Sequence, residues 1–337
     1  MPPIYSFAVS DTQYLVTFAI MLAIALVISN LTVSGEEAKK AAALDAGADD
    51  FITKPFGPGI VIGCVMGKKM KHAPVYFAIA QVRHNPILRM SDYLSQIQES
   101  MRVAGYPDFK RTVVLAFNLF SQDPGSAAPT VVQAPSPQQV ERFTFSNAEC
   151  TRGFIVENNA LSPQATEYDT FEIFSGEFFK GLAVIHATVK LDYVERVGLR
   201  YLDVVVPKEG EASLPKYLKP EVLGLANSLG DDIKVSLSIS ETHFQASTGR
   251  VLARTIIQNG SLGFPMDLQP IGVNIASRFG GIHGMHAILD TDASHEERQA
   301  FDMASLCARL TGLHDDVRMA FDATVTPHAL QVWNPED

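Results

Sequence analysis

The chain has 337 residues, 47% hydrophobic and 19% charged, a balance that excludes a disordered polypeptide and allows one large or two medium domains. A formal net charge of -10 and a pI near 5.4 exclude a nucleic-acid-binding surface spread over the whole protein, though not a local basic patch. Cys64, Cys150 and Cys307 lie far apart and fit neither a disulfide framework nor a CxxC metal site, so they read as idle thiols in a reducing compartment.

The first element runs from Tyr14 to Val33, uncharged throughout, with Thr17 and Ser29 among its few polar residues. At 1.5 Å per residue such a helix just spans a hydrocarbon core of about 30 Å. Residues 1–12 contain no Lys or Arg, so the segment lacks the positive n-region of a signal peptide. Lys39 and Lys40 follow it, which predicts a single inner-membrane span with a cytoplasmic C-terminal domain. The alternatives are a buried core helix and a wholly cytoplasmic protein. The stretch "FAVSDTQYLVTFAIMLAIALVISNLT", residues 7–32, resembles the last transmembrane helix of the potassium-responsive sensor histidine kinases of the Kdp system. The phosphoacceptor helix and nucleotide lid of that family do not follow, so the resemblance implies no kinase activity.

Residues 35–57, "GEEAKKAAALDAGADDFITKPFG", contain a helix-forming run at Ala41–Ala46, Gly47 as a helix end, and a strand at Phe51–Thr53 entering Lys54-Pro55. They resemble the tail of a response-regulator receiver domain. That resemblance makes Lys54 the phosphoryl-contact lysine and Thr32 or Ser34 its hydroxyl partner. The acceptor aspartate and the Mg²⁺-binding acids of that family belong upstream, where this chain carries the apolar segment, so Lys54 has nothing to stabilise. The expected organisation is a transmembrane-like segment at 1–33, a receiver-like tail and linker at 34–69, and a main body at 70–334, with a further division into 70–207 and 208–334 left open.

The body predicts an α+β fold of mainly antiparallel sheets with packed helices, because strands come in adjacent runs with few helices between them. "PVYFAIAQVRHNPI" alternates as a strand, and "SDYLSQIQESMRVAG" as a helix capped by Ser91 and ended by Gly105. "RTVVLAFNLF" is a strand, the Pro/Ser/Gln-rich stretch from Ser121 a loop, and "VERFTFSN", "RGFIVEN" and "ALSPQATEY" a meander. "TFEIFSGEFFKGLAVIHATVK" is a helix with Phe171, Phe174, Phe178 and Leu182 at core spacing, and "DYVERVGLRYLDVVVP" a long strand. After a short helix at "KPEVLGLANSLG", two strands form a hairpin turning near Thr248-Gly249, and "MHAILDTD" is a further strand. The closing helix is expected to start at Ser294, with Glu297 as its capping-box partner and Phe301, Ala304, Leu306, Leu310, Leu313, Val317 and Phe321 facing a sheet. The blocks "IAQVRHNPI", "AGYPDF", "RVGLRYLD", "LDTD" and "LHDDVRMAF" together resemble a sporadically distributed family of uncharacterised bacterial proteins. The resemblance implies a fold and no activity.

For chemistry, His286, Asp290 and Asp292 share one face of a strand and could bind a cation or share a proton; solvated acids at a strand end are the plainer reading. Arg196 and Arg200 share a face with Gly198 and Leu202, opposite Val197, Leu199, Tyr201 and Asp203. They could grip a phosphate or carboxylate, or pair with Glu195, Asp203 or an acid on a neighbouring strand. His314 is expected at a packed helix edge, with Asp315 and Asp316 solvated. Nucleotide-loop and hydrolase motifs are missing, and Gly280-Gly281 reads as a loop. No cofactor or metal is expected, nor nucleic acid; a protein partner, or a membrane through residues 14–33, is. The leading expectation is a non-enzymatic binding or regulatory module fused to signalling fragments. A metal-dependent or phosphoester-acting enzyme and a residual phosphorelay protein are the alternatives.

Overall fold

The computed structural model describes residues 70–116, 138–208, 213–229, 233–268 and 270–334, all within the unit Lys69–Asp337. The apolar segment at 14–33, the receiver-like tail with Lys54, and the loop following Ala116 lie outside the described residues. Among the described residues, no helix is long and apolar enough to cross a membrane.

The strands are β1 (Val75–His84), β2 (Asp108–Ala116), β3 (Gln138–Ser146), β4 (Arg152–Val156), β5 (Ala160–Ala165), β6 (Tyr193–Val205), β7 (Leu237–Gln245), β8 (Arg250–Ser261) and β9 (His283–Ala300). The helices are α1 (Met90–Val103), α2 (Phe171–Val189), α3 (Pro220–Leu223), α4 (Met303–Thr324) and α5 (Pro327–Trp333). One antiparallel sheet contains all nine strands in the order β2-β3-β4-β5-β1-β6-β9-β8-β7. The fold is therefore α+β, as the runs of adjacent strands predict. Among the described residues the path enters the sheet at its centre with β1, crosses to one edge and meanders back; β6 repeats this toward the other edge.

The two sheet faces differ because alternate residues of each strand point to opposite sides. Val197, Leu199 and Tyr201 of β6 face the helices. Tyr201 meets His314 of α4 edge-on at 6.2 Å, and His314 stacks on Phe171 of α2 at 4.0 Å. Helix α2 buries Phe171, Phe174, Phe178, Leu182 and Ile185, the spacing its sequence predicts, and Thr170 caps it through Ile173 N–H. At one end, Val205, Ile257, Ala287 and Leu289 form a core with Tyr217, Leu218 and Trp333.

The opposite face is crossed by residues 262–282, the connection between β8 and β9. Its ends are tied by Leu262 N–H donating to Ile282 O at 3.1 Å. This strap packs Val273, Ala276 and Phe279 on Phe77, Leu202, Ile256 and Ile288. It reaches as far as β3, where Ser146 Oγ donates to Gly272 O at 2.7 Å. Gly272 has φ +78°, and a Cβ there would come within 2.5 Å of Thr144 Cγ2, so only glycine lets the strap lie this close.

Two helix starts differ from expectation. Helix α1 begins at Met90 with Arg89 as its cap and no side-chain cap bond; Ser91 is already inside it, and the Arg89–Asp92 ion pair holds the first turn. Gly105, at φ +99°, follows its end as expected. The larger correction concerns 294–300, which is strand. Ser294 pairs with Gly198 and Glu296 with Arg196, and α4 starts only at Met303, with Asp302 accepting Ser305 N–H at 2.7 Å. The Ser294/Glu297 spacing fits a capping box, but pairing with β6 outweighs that local preference. Arg298 lies over the Tyr193 ring at 3.7 Å and His295 Nδ1 bonds Thr248 O at 2.7 Å, both favouring the extended form. The "KPEVLGLANSLG" helix is also shorter than its pattern, four α-helical residues followed by a 3-10 turn at Gly224–Ser228.

Phe178 is fully buried and Leu88 is 92% exposed. Phe178→Ala is expected to cost about 3–5 kcal/mol in urea unfolding, and Leu88→Ala less than about 0.5 kcal/mol.

Candidate functional site

The polar residues singled out in the sequence meet on the strap face, at the junction of β6, β9 and β8. Register places Arg200 opposite Asp292, and Leu202 opposite Asp290. On the other side of β9, Arg254 of β8 stands opposite Asp290. Asp290 is fully buried and accepts two hydrogen bonds from Arg200, Nε at 2.7 Å and Nη2 at 2.8 Å. Arg254 Nη2 reaches the same carboxylate at 3.1 Å.

A second carboxylate closes the cluster from above. Asp267, on the strap, receives Arg200 Nη1 at 3.1 Å and Arg254 Nη2 at 3.1 Å. Two guanidiniums thus alternate with two carboxylates. Burial works against the charge on Arg200, but the hydrogen bonds and charges of Asp290 and Asp267 outweigh it and raise its pKa. Burial raises Asp267 too, yet the two arginines more than offset this and hold it below the usual carboxylate range.

Arg196 does not join Arg200. Its side chain folds back over Gly198, donates to Gln81 Oε1 at 3.0 Å and stands 3.6 Å from Glu296. Of the partners the sequence suggested for these arginines, an acid on the neighbouring strand is the one present. Asp203 lies on the helix face, and Glu195 is in no ion pair with either arginine among the described residues.

His286 sits elsewhere. Its Nδ1 bonds Gly284 O at 2.9 Å and its Nε2 meets Gln258 Nε2 at 3.0 Å, so Gln258 donates to Nε2 and Nδ1–H donates to the carbonyl. Four residues of strand put it about 13 Å from Asp290 along β9. Among the described residues, no three His, Cys, Asp or Glu side chains gather where they could hold a metal ion.

Asp292 differs from Asp290. Half-buried, it makes no hydrogen bond or ion pair among the described residues and lines an open groove of about 380 Å³ with His243, Arg250, Leu252 and Ser294. Burial raises its pKa despite the pull of Arg196 and Arg200. Of Asp290 and Asp292, it is the carboxylate that lines open space.

Three further acidic side chains carry weight that the sequence pattern did not convey. Asp267 has no local signal. Asp316, expected to be solvated, is buried. It accepts from Ser247 Oγ at 2.8 Å, Thr248 N–H at 3.0 Å and Gly249 N–H at 3.1 Å, pinning α4 to the β7–β8 turn. Asp203 is buried on the helix face near Tyr168 and Tyr201, and burial pushes its pKa up to about 7. Arg254 did have a signal, as the lone charge in "VLARTII".

Residues 1–45 match the family described as a domain of unknown function, DUF4118. No curated protein and no solved structure matches the chain.

Asp290→Ala would leave two guanidiniums beside an apolar floor with their buried partner gone. It is expected to cost about 3–5 kcal/mol in urea unfolding, with no change in divalent-cation affinity by calorimetry. The Asp203 carboxyl rises from about 3.8 unfolded to about 7 folded, so between those values the native state binds the extra proton. Its contribution to stability is therefore greatest below the lower value and falls as pH rises through the window, by no more than about 4 kcal/mol. Neutral, buried His84 and His314, both held below the usual histidine value by burial, act in the opposite sense as pH falls. The comparison that isolates Asp203 is wild type against Asp203→Asn: the variant is expected to gain relative stability steadily from pH 4 to 7.5 in urea titrations.

Proposed function

We propose that residues 70–334 form a non-enzymatic binding module that takes a protein partner along strand β7. The observation that carries this reading is the edge itself. β7 is the last strand of the sheet, nine residues long, and leaves Leu237 and Ile239 more than half exposed on the strap face. Leu225 and Ile233, also exposed, precede it in the chain. An edge strand offers a row of unpaired N–H and C=O groups, and proteins that avoid strand addition blunt such edges with Lys, Pro or a bulge. β7 contains neither Lys nor Pro, and its register with β8 runs unbroken from Leu237 to Gln245. Alternate exposed apolar side chains on a strand that is the sheet edge among the described residues suit a partner that adds a strand.

We further infer that residues 1–69 are truncated sensor-kinase and receiver fragments fused in front of this module. In this reading residues 14–33 anchor it to the inner membrane with the body in the cytoplasm. The match of residues 1–45 to a family of their own supports a separate origin for the opening segment.

Ile239→Lys places a charge on the edge without touching the core. In pull-downs from the native cells, a protein retained by the wild-type full chain is expected to be lost with this variant, at unchanged circular dichroism. Equal retention by both chains would refute the β7 assignment. On fractionation the full chain is expected in the inner membrane.

A further inference from the structure

Asp267 is held by nothing in the cluster except the arginines it neutralises. Beneath it, Asp290 is fully buried and binds Arg200 through Nε and Nη2, leaving the outer edge of that guanidinium, Nη1 and Nη2, turned toward the strap. Arg254 adds its Nη2 from the next strand but one. Among the described residues, Asp290 and Asp267 are the carboxylates within hydrogen-bond distance of these guanidiniums. Glu241 approaches Arg254 Nε only at 3.5 Å and is itself bonded to His243 at 2.6 Å. Asp292, opposite Arg200 in register, feels its charge but makes no hydrogen bond or ion pair with either arginine among the described residues.

This is the geometry of an oxyanion site: a planar guanidinium edge offering two parallel N–H groups, and a second cation beside it. Its floor is rigid, because Asp290 fixes both arginines from below. Its occupant is a half-exposed side chain on a long connection whose neighbour, Met266, is fully exposed. The connection has one 3-10 turn, Ser277–Phe279, and connections this long with so little regular structure are often functional.

We propose that Arg200 and Arg254 form a binding site for a carboxylate or phosphate group of a ligand, and that Asp267 is an internal stand-in that occupies it in the empty protein. The ligand's oxyanion takes the position of the Asp267 carboxylate, and the strap around residue 267 moves aside. A tethered carboxylate competes at an effective concentration on the order of millimolar, so Asp267 sets the threshold for binding. The site lies one strand in from the β7 edge, and the proposal does not depend on the partner suggested there.

The test is calorimetric titration of the full chain with inorganic phosphate and, separately, malonate. Asp267→Ala is expected to bind at least one of these about tenfold more tightly than wild type, and the tighter of the two identifies the ligand's group. Arg254→Gln in the Asp267→Ala background is expected to abolish the gain. Asp267→Asn serves as a second variant that keeps the side-chain shape, and it is expected to show the same gain. Urea unfolding of each variant identifies any chain that does not fold. Equal affinity in wild type, Asp267→Ala and Asp267→Asn would overturn the proposal, as would a gain that survives Arg254→Gln. Ile239→Ser, which alters the edge without adding charge near Arg254, is expected to leave these affinities unchanged, so failure at one surface is distinguishable from failure at the other.

Discussion

Asp290 is a carboxylate that water does not reach, and the polar half of the sheet is arranged around it. A bare charge in that position is costly, and the group stays there because Arg200 and Arg254 approach it from the strands on either side. Each arginine must in turn reach over the sheet surface, so neither can take another rotamer without stranding the acid. The ion pair therefore fixes β6, β9 and β8 in register from above, as backbone hydrogen bonds fix them in plane. Such a cluster stabilises less than a well-packed apolar one would, but losing its buried carboxylate is strongly destabilising. Its value to the fold is specificity of register more than net stability.

The strap completes the same face by different means. Its middle is held by apolar packing, Val273, Ala276 and Phe279 on Phe77, Leu202 and Ile288. Farther on, side chains from the sheet grip its backbone: Gln164 and Ser146 donate to Ile271 O and Gly272 O, and Thr166 to Asn274 O. Near residue 267 the attachment is ionic and half exposed, so water and salt weaken it in a way they cannot weaken the buried contacts. One connection thus combines a firmly bound stretch with a stretch held by a replaceable charge. On the helix face, α2 and α4 cover the central strands with Phe178, Leu182, Leu310 and Leu313.

Much of this arrangement was readable along the chain. Alternation in "VYFAIAQVRH" and "RVGLRYLDVVV" is strand periodicity, and it correctly puts Arg200 and Asp203 on opposite faces. The Phe171/Phe174/Phe178 spacing announces α2. Even spacing of Asp290 and Asp292 placed them on one side of β9, and an acid on a neighbouring strand was among the partners expected for the arginines. The readings that failed share a cause. Ser294 and Glu297 look like a helix start because capping chemistry is local, whereas the edge of β6 that recruits them is about a hundred residues away in the chain. Asp316 looks solvated because it follows another acid on a helix; only the β7–β8 turn, brought against α4, supplies the three donors that bury it.

Composition and periodicity by themselves determined that the body is an α+β protein, where most of its strands and helices run, and which side chains share a face, since all of these follow from the fixed 2.0 and 3.6 periods of the backbone. The tertiary structure alone decided that β9 lies between β6 and β8, that Arg254 rather than Arg196 joins Arg200, and that a strap residue caps the pair. Strand order is a matter of which distant segments pair, and the free energy of that pairing is spread over many contacts, none of them legible at any one position.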